Sequence, residues 1–233
     1  MKRPRPTLVL DLDGTLVDTA IDLTTTLNVI LAKEGLDPVP LDQARALIGH
    51  GAKALIVRGF AANGVTRAPE QIDALYKEYL DHYERHIADE SRPFPNVVNT
   101  LVRFAEADWI LAVCTNKLER LSRILLDRLG LSRHFAAICG FDTLPASKPD
   151  ARAFIETVHR AGGDMSDAIM VGDSETDIAT ARAAGVPIVA VDYGYTTVPV
   201  EDLAPDRIVS DFAQLWDAVA AVRKGGDGGR DRD

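Results

Sequence analysis

Five short apolar runs rich in β-formers punctuate the chain, at residues 7–10, 109–114, 136–139, 168–171 and 187–191. The last four alternate with amphipathic helical patterns. Leu118, Leu121, Leu125 and Leu129 mark one, Phe154, Ile155 and Val158 the next, and Phe212, Leu215, Trp216 and Val219 the last. Runs that are apolar throughout are buried on both faces, and strands joined through helices lie parallel. Few arrangements satisfy both conditions. The pattern predicts an α/β chain built on a doubly wound parallel sheet, with its chemistry at the carboxyl ends of the strands.

Between the first run and the second, that rhythm fails. Residues 18–92 hold helical patterns and no convincing strand. Ile72, Leu75, Tyr76, Tyr79, Leu80, Tyr83 and Ile87 fall on one helical face, an aromatic stripe that reads as core. A parallel crossover needs little more than about a dozen residues. The long connection therefore predicts an inserted all-helical cap domain, with Pro93 and Pro95 marking the return to the sheet. The expected division is an α/β core of residues 1–17 and 93–224 and a helical cap of 18–92. The polar, glycine-rich segment 225–233 reads as a disordered tail.

Composition narrows the partners. Over 233 residues, 35 acidic side chains outnumber 26 Lys and Arg, for a formal charge of −9. Nucleic acid and anionic membranes demand concentrated basic charge, so neither is expected as a partner. The two cysteines, Cys114 and Cys139, sit in apolar runs and read as small buried side chains. The basic start, Met-Lys-Arg-Pro-Arg-Pro, is followed by too short an apolar stretch for an export signal. No run approaches the length of a membrane span. A cytoplasmic protein is expected.

The sharpest local feature is Asp11-Leu-Asp13-Gly14-Thr15-Leu-Val-Asp18, placed where the first apolar run stops. A turn at Gly14 would aim Asp11 and Asp13 into one pocket, where two like charges need a cation or a shared proton. The ordinary alternative is an Asp-Gly turn followed by a helix capped by Asp18 or Thr19. Three later segments weigh against it. The second run ends in Thr115-Asn116-Lys117, a hydroxyl and backbone amides at a helix start, which suits an anion. Lys148 precedes another helix in Ser147-Lys148-Pro149-Asp150. The fourth run ends in Gly172-Asp173-Ser174-Glu175-Thr176-Asp177, and a helix starting there presents Asp173 and Asp177 on one side. Singly, each is an ordinary helix cap or surface lysine.

Together, in this order, the four segments and the helical stretch after the first resemble the haloacid dehalogenase superfamily of phosphatases, over essentially the whole chain except the tail. That resemblance implies a sheet with the first strand flanked by the second and fourth. It implies that Asp11 is a nucleophile that forms an aspartyl-phosphate, and that Asp13 is the acid/base. Mg²⁺ would be held by Asp11, the Asp13 carbonyl and Asp173, with Asp177 ordering a metal water or Lys148. Gly14, Thr115, the Asn116 amide and Lys148 would line the phosphoryl group. Four carboxylates against one ammonium and a divalent cation come near neutrality if Asp13 carries a proton, so metal dependence also follows from charge.

Within the superfamily the chain resembles the phosphoglycolate phosphatase group. The resemblance lies in Leu47-Ile48-Gly49-His50-Gly51, Cys114-Thr115-Asn116-Lys117, Asp192-Tyr193-Gly194-Tyr195, and Pro205-Asp206 ahead of Ile208-Val209-Ser210-Asp211. It implies a small phosphate ester, most simply 2-phosphoglycolate, enclosed by the cap in a monomer or homodimer. His50, Lys53, Arg45 and Arg58 are the candidates for reading its carboxylate. The same core motifs also serve phosphatases of sugar phosphates, nucleotides or pyrophosphate, and sugar-phosphate mutases. Phospho-aspartate receiver modules gather similar residues, but they are about half as long and carry the phosphoacceptor on a later strand.

Overall fold

In the computed structural model, which describes residues 5–49 and 51–227, strand β1 (Thr7–Leu10) is buried along its whole length. After it come β2 (Val17–Asp18), helices α1 (Ala20–Lys33), α2 (Leu41–Arg45), α3 (Ala52–Ala62) and α4 (Pro69–Arg85), then β3 (Arg92–Pro93). The chain continues through α5 (Val97–Glu106), β4 (Ile110–Cys114), α6 (Glu119–Arg128), β5 (Ala137–Cys139) and α7 (Ala151–Arg160). It ends with β6 (Ala168–Gly172), α8 (Glu175–Ala184), β7 (Ile188–Val191), β8 (Arg207–Val209) and α9 (Leu215–Asp227).

Six of these strands form one sheet in the order β5-β4-β1-β6-β7-β8, with every pairing parallel. As expected, β1 lies between the second and fourth strands of the alternating series, Leu10 facing Val113 on one side and Val171 on the other. Side chains alternate across the sheet. Leu8 and Leu10 pack with Leu111 and Val113, with Leu101 and Phe104 of α5, with Leu125 of α6, and with Leu215 and Val219 of α9. Val9 packs on the opposite face with Ala112 and Met170, Phe154 and Val158 of α7, and Ile178 and Ala181 of α8. The strands are therefore apolar end to end because both faces are covered.

The insertion is joined to the sheet through a two-stranded antiparallel ribbon in which Val17 faces Pro93 and Asp18 faces Arg92. Asp22, on the first turn of α1 and nearly inaccessible, binds the returning chain. Its carboxylate accepts from the amides of Glu90 (3.0 Å) and Ser91 (2.8 Å) and from the Ser91 hydroxyl (2.6 Å).

Several details differ from the sequence reading. The sheet gains an unanticipated sixth strand, β8, whose Arg207 and Ile208 are exposed at the sheet edge and give no buried apolar run. The expected boundary at residues 17/18 and 92/93 falls inside the ribbon, because Asp18 and Arg92 pair as strand residues. Helix α9 runs to Asp227, so the first residues of the expected tail are helical, and residues 228–233 lie outside the described part. The aromatic stripe of α4 divides: Ile72, Leu75, Tyr79 and Tyr83 are buried, yet Tyr76, Tyr79, Leu80 and Tyr83 also line a cavity. Among the described residues, no helix is long and apolar enough to cross a membrane.

Replacing Asp22 by Ala strands buried donors on the returning segment, at a cost of roughly 1–3 kcal/mol for each unsatisfied group. Asp22→Ala should lower the unfolding free energy by about 3 kcal/mol in urea titration, whereas Asp22→Asn, which keeps an acceptor oxygen, should lose less than half as much.

Candidate active site

The carboxyl ends of β1, β4 and β6 open onto a cavity of about 480 Å³, roofed by the helical insertion. Asp11, Asp13, Thr115, Asn116, Lys117 and Lys148 line it from the sheet side; Leu23, Ile48, Leu55, Tyr79 and Tyr83 line it from the insertion.

Asp11 follows β1 directly and is 8% exposed. Its Oδ1 accepts from the Leu12 amide at 2.7 Å and lies 2.9 Å from the Lys148 ammonium, so neither contact occupies Oδ2. Lys148, on the loop before α7, also reaches Asp177 Oδ1 at 2.6 Å. Asp177 Oδ2 accepts from the amides of Asp173 and Ser174 and from the Ser174 hydroxyl, which closes the capping box of α8. Asp177 is thus both a helix cap and the anchor of Lys148, and all its oxygens are engaged.

Asp173 ends the turn after β6 and is 2% exposed. Thr15 donates its hydroxyl to Oδ1 at 2.8 Å, and the Tyr195 amide donates to Oδ2 at 2.8 Å. Gly14 makes this approach possible. Its φ is +85°, and a Cβ there would stand 2.6 Å from Asp173 Oδ2. The Tyr195 hydroxyl donates to Asp18 at 2.6 Å and accepts from the amides of Thr19 and Ala20 at the start of α1, where Asp18 also accepts from the Ala20 amide at 3.3 Å.

Burial dominates the electrostatics. It pushes the Asp11 carboxyl up to about 6, against the opposing pull of Lys148. Burial, helped by the charges of Asp177 and Asp11, pushes Asp173 up to about 8. Burial alone would lower Lys148, but Asp11 and Asp177 outweigh it and hold the ammonium above its ordinary range. The cluster is short of positive charge. Asp11, Asp173 and Asp177 offer carboxylate oxygens within 4.8 Å of one another. An all-oxygen set of hard, anionic donors fits a divalent cation such as Mg²⁺.

Asp13 stands apart from this cluster, in different company. Its carboxylate takes the Thr19 hydroxyl at 2.8 Å and the Lys117 ammonium at 3.0 and 3.2 Å. Lys117 in turn donates to the Tyr83 hydroxyl of α4 at 2.9 Å. The sequence reading quoted Lys117 within its motif without giving it a role. Nothing in the spacing marks it, because its partner Tyr83 is supplied by the insertion.

The remaining candidates are distributed unevenly. Thr115 is buried, but its amide donates to the Cys139 carbonyl and its hydroxyl accepts from the Lys117 amide, so the expected loop of free amides is narrower than supposed. Asn116 Nδ2 donates to the Lys148 carbonyl at 3.1 Å, while its buried Oδ1 has no partner. Lys53 lines the cavity, but its ammonium is 2.5 Å from Asp73 and half exposed. Arg45 pairs with Asp18 at 2.9 Å, and the Arg58 guanidinium donates to the Leu47 carbonyl. Gly49 and Gly51 line the cavity at φ of +107° and +83°; His50, between them, lies outside the described residues.

The model of a family described as haloacid dehalogenase-like hydrolase matches residues 8–191. Among curated relatives, a phosphoglycolate phosphatase of Caulobacter vibrioides is 51% identical over 209 residues, covering 90% of this chain and 88% of that one. Another from Mesorhizobium japonicum is 48% identical over 211 residues, covering 91% and 93%. A crystal structure of a predicted phosphoglycolate phosphatase from Haemophilus somnus superposes with a TM-score of 0.85 at 29% identity, covering 91% of this chain and 97% of that one.

The raised carboxyls fix a pH dependence. A group whose folded value lies above its unfolded value near 3.8 stabilises the protein fully below that value, and the contribution is lost as pH rises through the folded value. In chelator, thermal stability should therefore fall from pH 5 to pH 9 as the protons on Asp11 and Asp173 are lost. A divalent cation should restore it, with a gain in Tm that grows over that interval. Asp173→Asn should flatten the chelated profile. A cation-induced gain that shrinks with rising pH would contradict the assignment.

Proposed function

The chain belongs to the haloacid dehalogenase-like hydrolase family, and on that footing we propose that it hydrolyses 2-phosphoglycolate to glycolate and phosphate, with Mg²⁺ as its cofactor. The observation that carries the reading is the pair of carboxylates ending one strand and facing one cavity in opposite company: Asp11 among the metal-cluster aspartates, Asp13 between a lysine and a threonine.

Asp11 is the nucleophile. It forms a bond to phosphorus as the ester bond breaks, giving an aspartyl-phosphate and an alkoxide that takes a proton from Asp13. Asp13 then removes a proton from the water that hydrolyses the acyl phosphate. Lys148 and Thr115 hold the transferring phosphoryl oxygens, with Gly14 and the Asn116 amide beside them. Asp11, the Asp13 carbonyl and Asp173 would hold the Mg²⁺, and Asp177 keeps Lys148 in place. When bound, the metal offsets the charge of nucleophile and phosphate. Residues 18–92 act as the cap that excludes water and polymeric substrates. The names of the relatives support the two-carbon acid as substrate, and their lengths match this chain closely.

A mutase would need a cation in the cap for a second phosphate, and Lys53, which lines the cavity from that side, is tied to Asp73. A receiver module has neither the insertion nor its nucleophile on the opening strand. The enzyme works in the cytoplasm as a monomer or homodimer, and its surplus of acidic side chains keeps nucleic acid away.

A phosphate-release panel of phosphoglycolate, sugar phosphates, nucleoside monophosphates and pyrophosphate tests the substrate: phosphoglycolate should give the highest kcat/KM, and chelation should abolish turnover. Asp11→Asn should be inactive. Asp13→Asn should slow transfer from phosphoglycolate by about 10²- to 10⁴-fold, because an alkoxide needs its proton. With an aryl phosphate the same variant should release a burst of phenol near one equivalent, then stall at hydrolysis of the intermediate. Equal loss on both substrates without a burst would remove Asp13 from the acid/base role.

A further inference from the structure

We propose that Lys117 of the core, with Tyr83 of α4 beside it, reads the carboxylate of the substrate. The proposal rests on the phosphoglycolate reading above and concerns the role for which the sequence offered His50, Lys53, Arg45 and Arg58.

Position supports it. Thr115 and Lys148 stand at the phosphoryl end of the cavity, whereas the Lys117 ammonium stands 3.0 Å from Asp13. The ester oxygen that Asp13 protonates lies within hydrogen-bond reach of its carboxyl, about 2.6–3.2 Å. In phosphoglycolate the carboxylate is one methylene beyond that oxygen. A cation that touches Asp13 therefore stands where this carboxylate arrives.

Availability supports it too. Lys117 is 8% exposed and lines the cavity, among walls made largely of Leu23, Ile48, Leu55 and Tyr79. A charge pair in such surroundings is stronger than one at the surface. Three other cations among the described residues are engaged elsewhere: Lys148 lies between Asp11 and Asp177, Lys53 is half exposed on Asp73, and Arg45 is on Asp18. The ammonium has three N–H donors, and the structure directs them to the two Asp13 oxygens and to Tyr83. Exchanging one Asp13 oxygen for a substrate carboxylate oxygen keeps the ammonium fully bonded and eases protonation of Asp13 for its role as acid. Asp13 remains held by the Thr19 hydroxyl throughout. The Tyr83 hydroxyl accepts from Lys117 and keeps its own proton to donate; burial holds that phenol well above its ordinary range, so it stays neutral.

The test pairs two alkyl esters, phosphoglycolate and ethyl phosphate, which lacks the carboxylate. It adds calorimetric binding of 3-phosphonopropionate and propylphosphonate, which cannot be hydrolysed and so do not need Asp13 as acid. All measurements use the Mg²⁺-loaded enzyme. Lys117→Met should lower kcat/KM for phosphoglycolate by about 10²-fold more than for ethyl phosphate, the scale expected when one partner of a buried charge pair is removed. It should also abolish the preference for phosphonopropionate. Tyr83→Phe, which leaves the lysine in place, should reduce both preferences several-fold and serves if Lys117→Met does not fold. If wild type prefers phosphoglycolate but both variants lose the same factor on both esters and keep the phosphonate preference, Lys117 merely holds Asp13 and the proposal is overturned alone. If wild type shows no preference for phosphoglycolate over ethyl phosphate, the substrate reading falls and takes this proposal with it.

Discussion

Repulsion between buried carboxylates is the constraint around which this molecule is arranged. Asp11, Asp173 and Asp177 crowd together at the ends of two adjacent strands, and the Lys148 ammonium between Asp11 and Asp177 is the counter-charge that the chain itself supplies there. One lysine does not balance three aspartates; burial holds the carboxyls of Asp11 and Asp173 raised, and at Asp173 the neighbouring carboxylates add to it. The deficit makes the cluster receptive to a divalent cation. The surrounding structure holds the arrangement under that load: Thr15 and the Tyr195 amide grip Asp173, the α8 cap grips Asp177, and Gly14 yields the space.

Asp13 shows the same principle applied to the opposite end. Two residues from Asp11, it lines the same cavity but pairs with Lys117 and Thr19 instead of joining the crowded cluster. Two chemically identical side chains are thereby given different environments, which is what a reaction needing a nucleophile and a proton carrier requires. Tyr83 extends this second environment into the helical insertion, which thus reaches Asp13 both directly, through Thr19, and by way of Lys117.

Asp11, Asp13, Thr115, Lys148, Asp173 and Asp177 are legible in the sequence because each stands where an apolar run stops or a helix begins, and parallel topology brings such positions to one edge. The β1 neighbours are legible through the resemblance those motifs carry. Lys117 is not, since its meaning depends on Tyr83, 34 residues away on another element. The stripe that carries Tyr83 has a helical period that cannot distinguish a core face from a cavity wall, and here α4 is both. Strand β8 is hidden for a simpler reason: an edge strand with an exposed outer side lacks the continuous apolar run that marks the buried ones.

The central place of β1 has a consequence for how the protein comes to exist. Chains emerge from the ribosome N-terminus first, yet the strand carrying Asp11 acquires its flanking partners only when Val113 and then Val171 have been made. In the interval the helices α1 to α4 are already made, while a wholly apolar strand waits unpaired. Distant pairings are also the slow ones to form. The acidic cluster is completed later still, because Asp173 and Asp177 follow the last strand that β1 needs. A nascent chain short of β6 thus carries Asp11 and the helical insertion without Asp173 and Asp177, so the acidic cluster is completed only with the sheet itself.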